Sequence, residues 1–255
     1  MIDPIFNQNL TARRRRKHVI FIAARVFFVT AFRILLRMRI YGLKNIPRHG
    51  GALVISNHVH NADPVLIEAA CSRPVHFMAK VEIWNVPGVR WIATQTGAFP
   101  VRRGTADRAA LRQASAVLAD GRLVGVFPEG TRSVSGGLTK GNRGVSMIAT
   151  QINAPLIPTA VLGSEDIPGN GAKQKKRIHI WPKVTVVFGQ PFHLDTHKPD
   201  GTRWPLEELS DAMMIEIARM LPEPYRGIYA DRCDQPHPAV RRDSIQFTGS
   251  IDNTD

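Results

Sequence analysis

Cysteine is nearly missing from this 255-residue chain: Cys71 and Cys233 stand far apart, and neither has a partner at metal-ligand spacing. That argues against a disulfide framework and fits a reducing, cytosolic setting. Acidic side chains are scarce too, 21 against 34 Lys and Arg, for a net charge of +13. Such an excess favours anionic partners, whether nucleic acid, acidic lipid headgroups or phosphorylated small molecules. Long uncharged apolar runs are also wanting. The segment after RRRRK (13–17), HVIFIAARVFFVTAFRILLRMRIYGL, is interrupted by Arg25, Arg33, Arg37 and Arg39. Its longest uncharged stretch falls short of the ~18–20 residues that cross a bilayer. No small-residue cleavage site follows it, which argues against a removable signal peptide. There is no internal repeat, no convincing serine or cysteine nucleophile, and no recognised nucleic-acid motif or aromatic stacking series among the basic residues.

What is present suits one good-sized domain: 44% hydrophobic and 22% charged residues over 255 positions can bury a substantial core. On a helical wheel at ~100° per residue the four arginines of the N-terminal segment fall within roughly a 160° arc. Ile20, Phe27, Ile34 and Leu35 lie outside the arc, but Phe21, Val29 and Leu36 fall within it. The reading is a helix lying in the membrane interface, its arginines snorkelling to phosphates; a helix packed on its own domain and a true membrane span are the alternatives. A second basic cluster, KQKKR (173–177), reads as a solvated charge run or an anion contact.

From residue 51 strands and helices alternate. GALVIS (51–56) reads as a buried strand, with Asp63-Pro64 opening a helix through Cys71, Asp63 as its cap. PVHFMAK (74–80), GAFPV (97–101), LVGVF (123–127) and APLIPTAVLG (154–163) read as further strands, and RIHIWP with KVTVVFG as a strand pair near 177–189. Helices are expected over 88–96, over the alanine-rich stretch that Thr105 would cap, over 143–151, and over the amphipathic 205–221. This alternation predicts an α/β layered sheet flanked by helices, with an N-terminal membrane-interface helix. The expected organisation is a basic, apolar membrane-associating segment over 1–40, a globular domain over 41–222 and an irregular tail over 223–255.

Three polar loops each follow a strand: NHVHNAD (57–63), VRRGT (101–105) and PEGTRS (128–133). Beyond the carboxyl ends of an open sheet they could share one crevice. In the first, His58 and Asp63 are spaced so that the chain can fold the carboxylate onto the imidazole. The acid would fix the tautomer and stabilise the imidazolium, and imidazole's ordinary pKa of ~6.5 suits taking a proton from an attacking hydroxyl. The bland account is a helix-capping Asp63 beside a polar strand-end histidine. A metallohydrolase cradle of His58, His60 and Asp63 is a poorer alternative, because the other histidines form no similar cluster. A non-catalytic basic binding module is a third. In the other loops Arg102 and Arg103 can fork onto a phosphate, and Gly130, Thr131, Arg132 and Ser133 can line an anion. Glu129 fits there only if it binds a substrate hydroxyl or positions an arginine.

Taken in order, NHVHNAD, GAFPVRRG, VFPEGTRS and APLIPTAV resemble the four sequence blocks of the 1-acylglycerol-3-phosphate acyltransferase family, one of the glycerolipid acyltransferases. They cover about residues 50–165, and FPEGTRS is the most diagnostic. The resemblance implies phospholipid biosynthesis: a fatty acyl group passes from acyl-CoA or acyl carrier protein to the free hydroxyl of a lysophospholipid, 1-acylglycerol-3-phosphate first among them, giving phosphatidic acid. The expected place is the membrane lipid surface, monotopic and on its cytoplasmic face. By match, His58 would be the general base and Asp63 its orienting partner. Arg103 would hold the acceptor phosphate with Glu129, Gly130, Thr131 and Arg132, while Arg102 departs from the usual residue there. Ile157 and Pro158 would support the acyl-binding region. The resemblance implies direct attack on the thioester, with no metal, no cofactor and no nucleic acid. Family members also acylate glycerol-3-phosphate and other lyso-lipids, so the acceptor stays open.

Overall fold

The computed structural model describes residues 26–27, 29–102, 107–169 and 182–242. Its core is a seven-stranded sheet in the order β1-β7-β6-β2-β5-β3-β4. The strands are β1 (Arg39–Tyr41), β2 (Ala52–Ser56), β3 (Val75–Lys80), β4 (Phe99–Val101), β5 (Leu123–Val126), β6 (Leu156–Leu162) and β7 (Thr185–Phe188). From β6 to β4 neighbouring strands are parallel; β7 meets β6 antiparallel and takes β1 along with it. The central β2 and β5 are buried at every position, the uninterrupted apolar pattern of strands covered on both faces. A two-stranded ribbon, β8 (His193–Leu194) with β9 (Val240–Arg241), stands apart.

The helices divide between the two faces. One layer holds α1 (29–35) and α2 (Asp63–Ala70); the other holds α4 (Arg108–Ala119), α5 (Arg143–Ile152) and α6 (Leu206–Ala218), while α3 (Pro87–Gln95), between β3 and β4, contributes to neither buried core. Alternate residues of β6 feed the two cores. Leu156 and Ala160 join α4, α5 and α6, while Ile157 and Val161 join Leu66, Ile67 and Phe127. The first helix ends on Arg37 in the left-handed region (φ 43°), with Met38 N–H donating to the Arg33 carbonyl and Arg37 N–H to Ile34. This paired closure satisfies the last carbonyls. Phe32 and Leu36 then pack on the α2-side core while Phe27, Ile34 and Leu35 stay exposed. Residues 1–25, most of the expected membrane segment, lie outside the described residues, and no helix among those described is long and apolar enough to cross a membrane.

Several expectations change in detail. Asp63 does not cap α2. Ala62 holds that position, and the Asp63 carboxylate turns back onto the preceding loop. Asp107, rather than Thr105, caps α4, accepting from the N–H groups of Ala109 and Ala110; Thr105 lies outside the described residues, as do the basic cluster 173–177 and the strand expected near 177–181. Helix α6 is buried almost all round from Leu209 to Ala218, because the chain beyond its C-terminus folds back over its outer face. Where an irregular tail was expected, the chain forms α7 (Glu223–Arg226), a 3₁₀ turn over Gly227–Arg232 and β9, and it sinks Tyr229 into the core. Residues 243–255 are outside the described set.

Candidate active site

Because β2, β5 and β4 run parallel, the loops leaving their carboxyl ends emerge along one edge of the sheet. His58 leaves β2 there, and its Nδ1 lies 2.8 Å from Asp63 Oδ2. The same Oδ2 accepts the N–H groups of Val59 and His60, each at 2.8 Å. Asp63 is fully buried, whereas the His58 side chain keeps 12% of its surface exposed. An ionised carboxylate on Nδ1 puts the imidazole proton there and leaves the Nε2 lone pair free to take another.

The imidazole is held from three further directions. Its ring stacks on Phe127 with centroids 4.0 Å apart, and Phe127 in turn stacks on Phe77 at 5.4 Å. The His58 N–H donates to Glu129 Oε1 at 3.1 Å, and the His58 carbonyl accepts from Ser133 N–H at 2.8 Å. The PEGTRS loop therefore grips the histidine's backbone at both polar groups. The neighbouring Asn57 side chain pairs with both backbone groups of Val161 at 2.8 Å, extending the β2–β6 ladder by one rung.

Glu129 is not free to meet a ligand. Its second oxygen accepts from Thr139 N–H at 3.0 Å and Thr139 Oγ1 at 2.8 Å. Burial pushes its carboxyl pKa up, and the donors from Thr139 and His58 only partly offset that. His60 is buried, and its Nδ1 accepts the Ala62 N–H at 3.0 Å. Burial lowers its pKa, Asp63 opposes the shift, and the positive charge of Arg132 adds to it, so that guanidinium lies within electrostatic reach of the histidine loop. Among the described residues, no group of three or more His, Cys, Asp or Glu is arranged to hold a metal ion.

Beside Phe127 opens a cleft of about 100 Å³ with Arg102 and Gly130 in its lining and Met78, Val101, Leu111, Val145 and Ile148 around them. Gly130 sits at φ 69°, the left-handed region open to glycine, and donates to the Phe127 carbonyl to close the turn. Thr131 and Arg102 are exposed and Arg132 is half-buried; Arg103 lies outside the described residues. Ile157 and Pro158 do not line this cleft. Ile157 is in the core that contains Phe127, and Pro158 faces Gly189 and Met220 on the opposite side of β6.

The sequence model of the family described as Acyltransferase matches residues 37–162, which bracket all of these loops. The chain belongs to the acyltransferase family. It is an O-acyltransferase, and its similarities are consistent in kind. It is 26% identical over 202 residues to the 1-acyl-sn-glycerol-3-phosphate acyltransferase of Bacillus subtilis, covering 77% of this chain and 94% of that protein. The enzyme of the same name from Borreliella burgdorferi is 25% identical over 160 residues, 60% of this chain and 63% of that one. Among solved structures, the 1-acyl-sn-glycerophosphate acyltransferase PlsC of Thermotoga maritima superposes with a TM-score of 0.52 at 27% identity, over 66% of this chain and 70% of that one. The fold of the acyltransferase is thus the one expected from its alternating elements.

Three contributors to the site escaped the sequence reading. Thr139 follows Glu129 by ten residues of loop with no pattern to mark it. Phe127 lies inside FPEGTRS but reads only as the last strand residue. Asn57 precedes the histidine and reads as one more loop polar group.

Proposed function

We propose that this acyltransferase moves a fatty acyl group from acyl-CoA or acyl carrier protein to the free hydroxyl of a lysophospholipid, with 1-acyl-sn-glycerol-3-phosphate the favoured acceptor and phosphatidic acid the product. Supporting this is the 2.8 Å pair of His58 and Asp63, at the sheet edge where arginine-bearing loops emerge. His58 Nε2 takes the proton of the acceptor hydroxyl as its oxygen attacks the thioester carbonyl. Asp63 stabilises the imidazolium that forms. Collapse of the tetrahedral adduct expels the thiolate, which recovers the proton from His58. The two substrates and one imidazole balance the reaction, so the reading calls for no resident cofactor.

Arg102, Arg103, Thr131 and Arg132, with the Gly130 turn, supply the positive charge and donors for the acceptor phosphate. Glu129 serves the site from behind, through His58. The amphiphilic acceptor places the enzyme at the cytoplasmic face of a membrane, monotopically, its basic, apolar N-terminal segment combining hydrophobic and electrostatic attraction.

The test is an acyl-transfer assay over a panel of lyso-lipid acceptors with both donor types. His58→Ala should lower kcat about a thousandfold. Full activity in that variant removes the proposed base, and preference for an acceptor without phosphate removes the assigned role of the arginines.

A further inference from the structure

Helix α3 is poorly supported by its own domain. Of its described residues only Ala93 is buried, at 5% exposed; Val89, Trp91 and Ile92 stand 42%, 63% and 43% exposed, and Val81 and Val86 just before them are exposed as well. A helix of nine residues is too short to hold itself in water and normally relies on packing an apolar face. Here much of that apolar surface meets solvent. Five large apolar side chains in a twelve-residue stretch, 81–92, are more than the scattered exposure of an ordinary surface.

Two further facts say what would cover it. The patch is fringed by exposed Lys80, Arg90 and Arg102, with Glu82 as the one acid within the stretch. It also leaves the carboxyl end of β3, the edge that carries His58, and Met78 and Val101, from the strands flanking it, line the cleft beside Phe127. We propose that residues 81–92 dock on an anionic bilayer, seating the active-site edge at the headgroup level. Trp91 suits that depth, since an indole has an apolar body and one polar N–H, and the cations match acidic headgroups. The inference rests on the reading of an amphiphilic acceptor: one that keeps its acyl chain in the membrane reaches His58 only if this edge of the sheet lies against the surface. The docking surface is separate from the N-terminal segment and would orient what that segment tethers.

The full chain is mixed with vesicles of phosphatidylcholine and phosphatidylglycerol whose acyl chains are brominated. Tryptophan emission should be quenched, and because Trp84 and Trp91 both lie in the docking stretch, the paired substitution Trp84→Phe/Trp91→Phe should remove most of the quenchable signal, leaving Trp181 and Trp204. The double variant Val89→Glu/Ile92→Glu should keep its thermal midpoint, because both side chains are exposed, while binding vesicles about tenfold more weakly. Its acyl transfer to a short-chain lysophosphatidate dissolved in water should match wild type, and transfer to a long-chain acceptor in vesicles should fall. Unchanged quenching in Trp84→Phe/Trp91→Phe, or unchanged vesicle binding in Val89→Glu/Ile92→Glu, overturns the proposal in favour of the N-terminal segment alone. Self-association of the wild type that the double variant abolishes, with vesicle binding intact, assigns the patch to a second copy of the chain. Should the wild type transfer no acyl group to any acceptor, the functional reading fails and the quenching result still decides the docking.

Discussion

At the scale of single residues, the site is defined by how completely His58 is held. A carboxylate fixes one ring nitrogen, a phenyl ring fixes its plane, and the PEGTRS loop fixes its backbone at both N–H and carbonyl. Such restraint matters because a base displaced by about 1 Å can lose about a hundredfold in rate. It also makes Glu129 a positioning residue. In Glu129→Gln the amide must turn one N–H toward a donor, either His58 N–H or Thr139, so the grip on the histidine loosens. Steady-state kinetics should show kcat down by up to about a hundredfold with the acceptor KM little changed; a raised KM at constant kcat would instead put Glu129 on the acceptor. The pH signs are opposite for Glu129 and His60. Glu129, its pKa raised, holds its proton longer in the folded state, so its contribution to stability falls as pH climbs from the ordinary carboxylate value through the raised one. His60, its pKa lowered, binds fewer protons when folded, so stability falls as pH drops through the ordinary histidine value of ~6.5 toward the lowered one. His60→Asn, whose Oδ1 can still accept the Ala62 N–H, should flatten that acid-side loss in melts from pH 7.5 to 5. The sequence marks His58 and Asp63 as a pair, because the four residues of loop between them can bring them together. It does not mark Glu129 as their support, because that contact joins residues 71 apart.

At the scale of elements, strand β5 carries the stack beneath the base. A methyl group added at Gly125 would meet the Phe77 ring at 2.4 Å, and Phe77 lies on Phe127, which lies on His58. Gly125→Ala should therefore cost about 1–3 kcal/mol of stability in denaturant melts and lower kcat as well, since the ring cannot withdraw without moving its neighbours. Unchanged kcat in a folded Gly125→Ala would show that the stack does not orient the imidazole. Most elements are legible from period and punctuation: β2 and β5 from unbroken apolar runs, α2 from its Pro64, α4 from its alanine-rich run. Their ends are less legible. Asp63 and Asp107 are both good cap residues, yet only Asp107 caps, because the backbone N–H groups of Val59 and His60 and the His58 ring claim Asp63 first.

At the scale of the whole molecule, the segment after α6 clamps the loop that holds Glu129. Leu138 N–H donates to the Tyr225 carbonyl at 2.9 Å, and Tyr229, fully buried, donates to Asp211 at 2.8 Å and accepts from Gly141 N–H at 3.3 Å. Burial, with Asp211 beside it, holds that phenol protonated far above its ordinary range. Tyr229→Phe should leave Asp211 and Gly141 short of a partner at a cost of about 1–3 kcal/mol, read from chemical denaturation; no loss of stability would show that the clamp is ornamental. The polar, proline-containing stretch hid this role, since its buried anchor is a single aromatic residue and not a periodic pattern. By itself the sequence determined the α/β alternation, the four ordered blocks, the basic balance and the His58–Asp63 pair, all of which are local patterns or compositions that survive without knowing who neighbours whom. Tertiary structure alone decided that Glu129 backs the base, that Pro158 faces away from the cleft, that α6 is buried almost all round from Leu209 to Ala218 and that α3 is left uncovered. Each of those depends on contacts between residues distant in the chain, and chain distance carries no information about which face a packed element turns toward its neighbour.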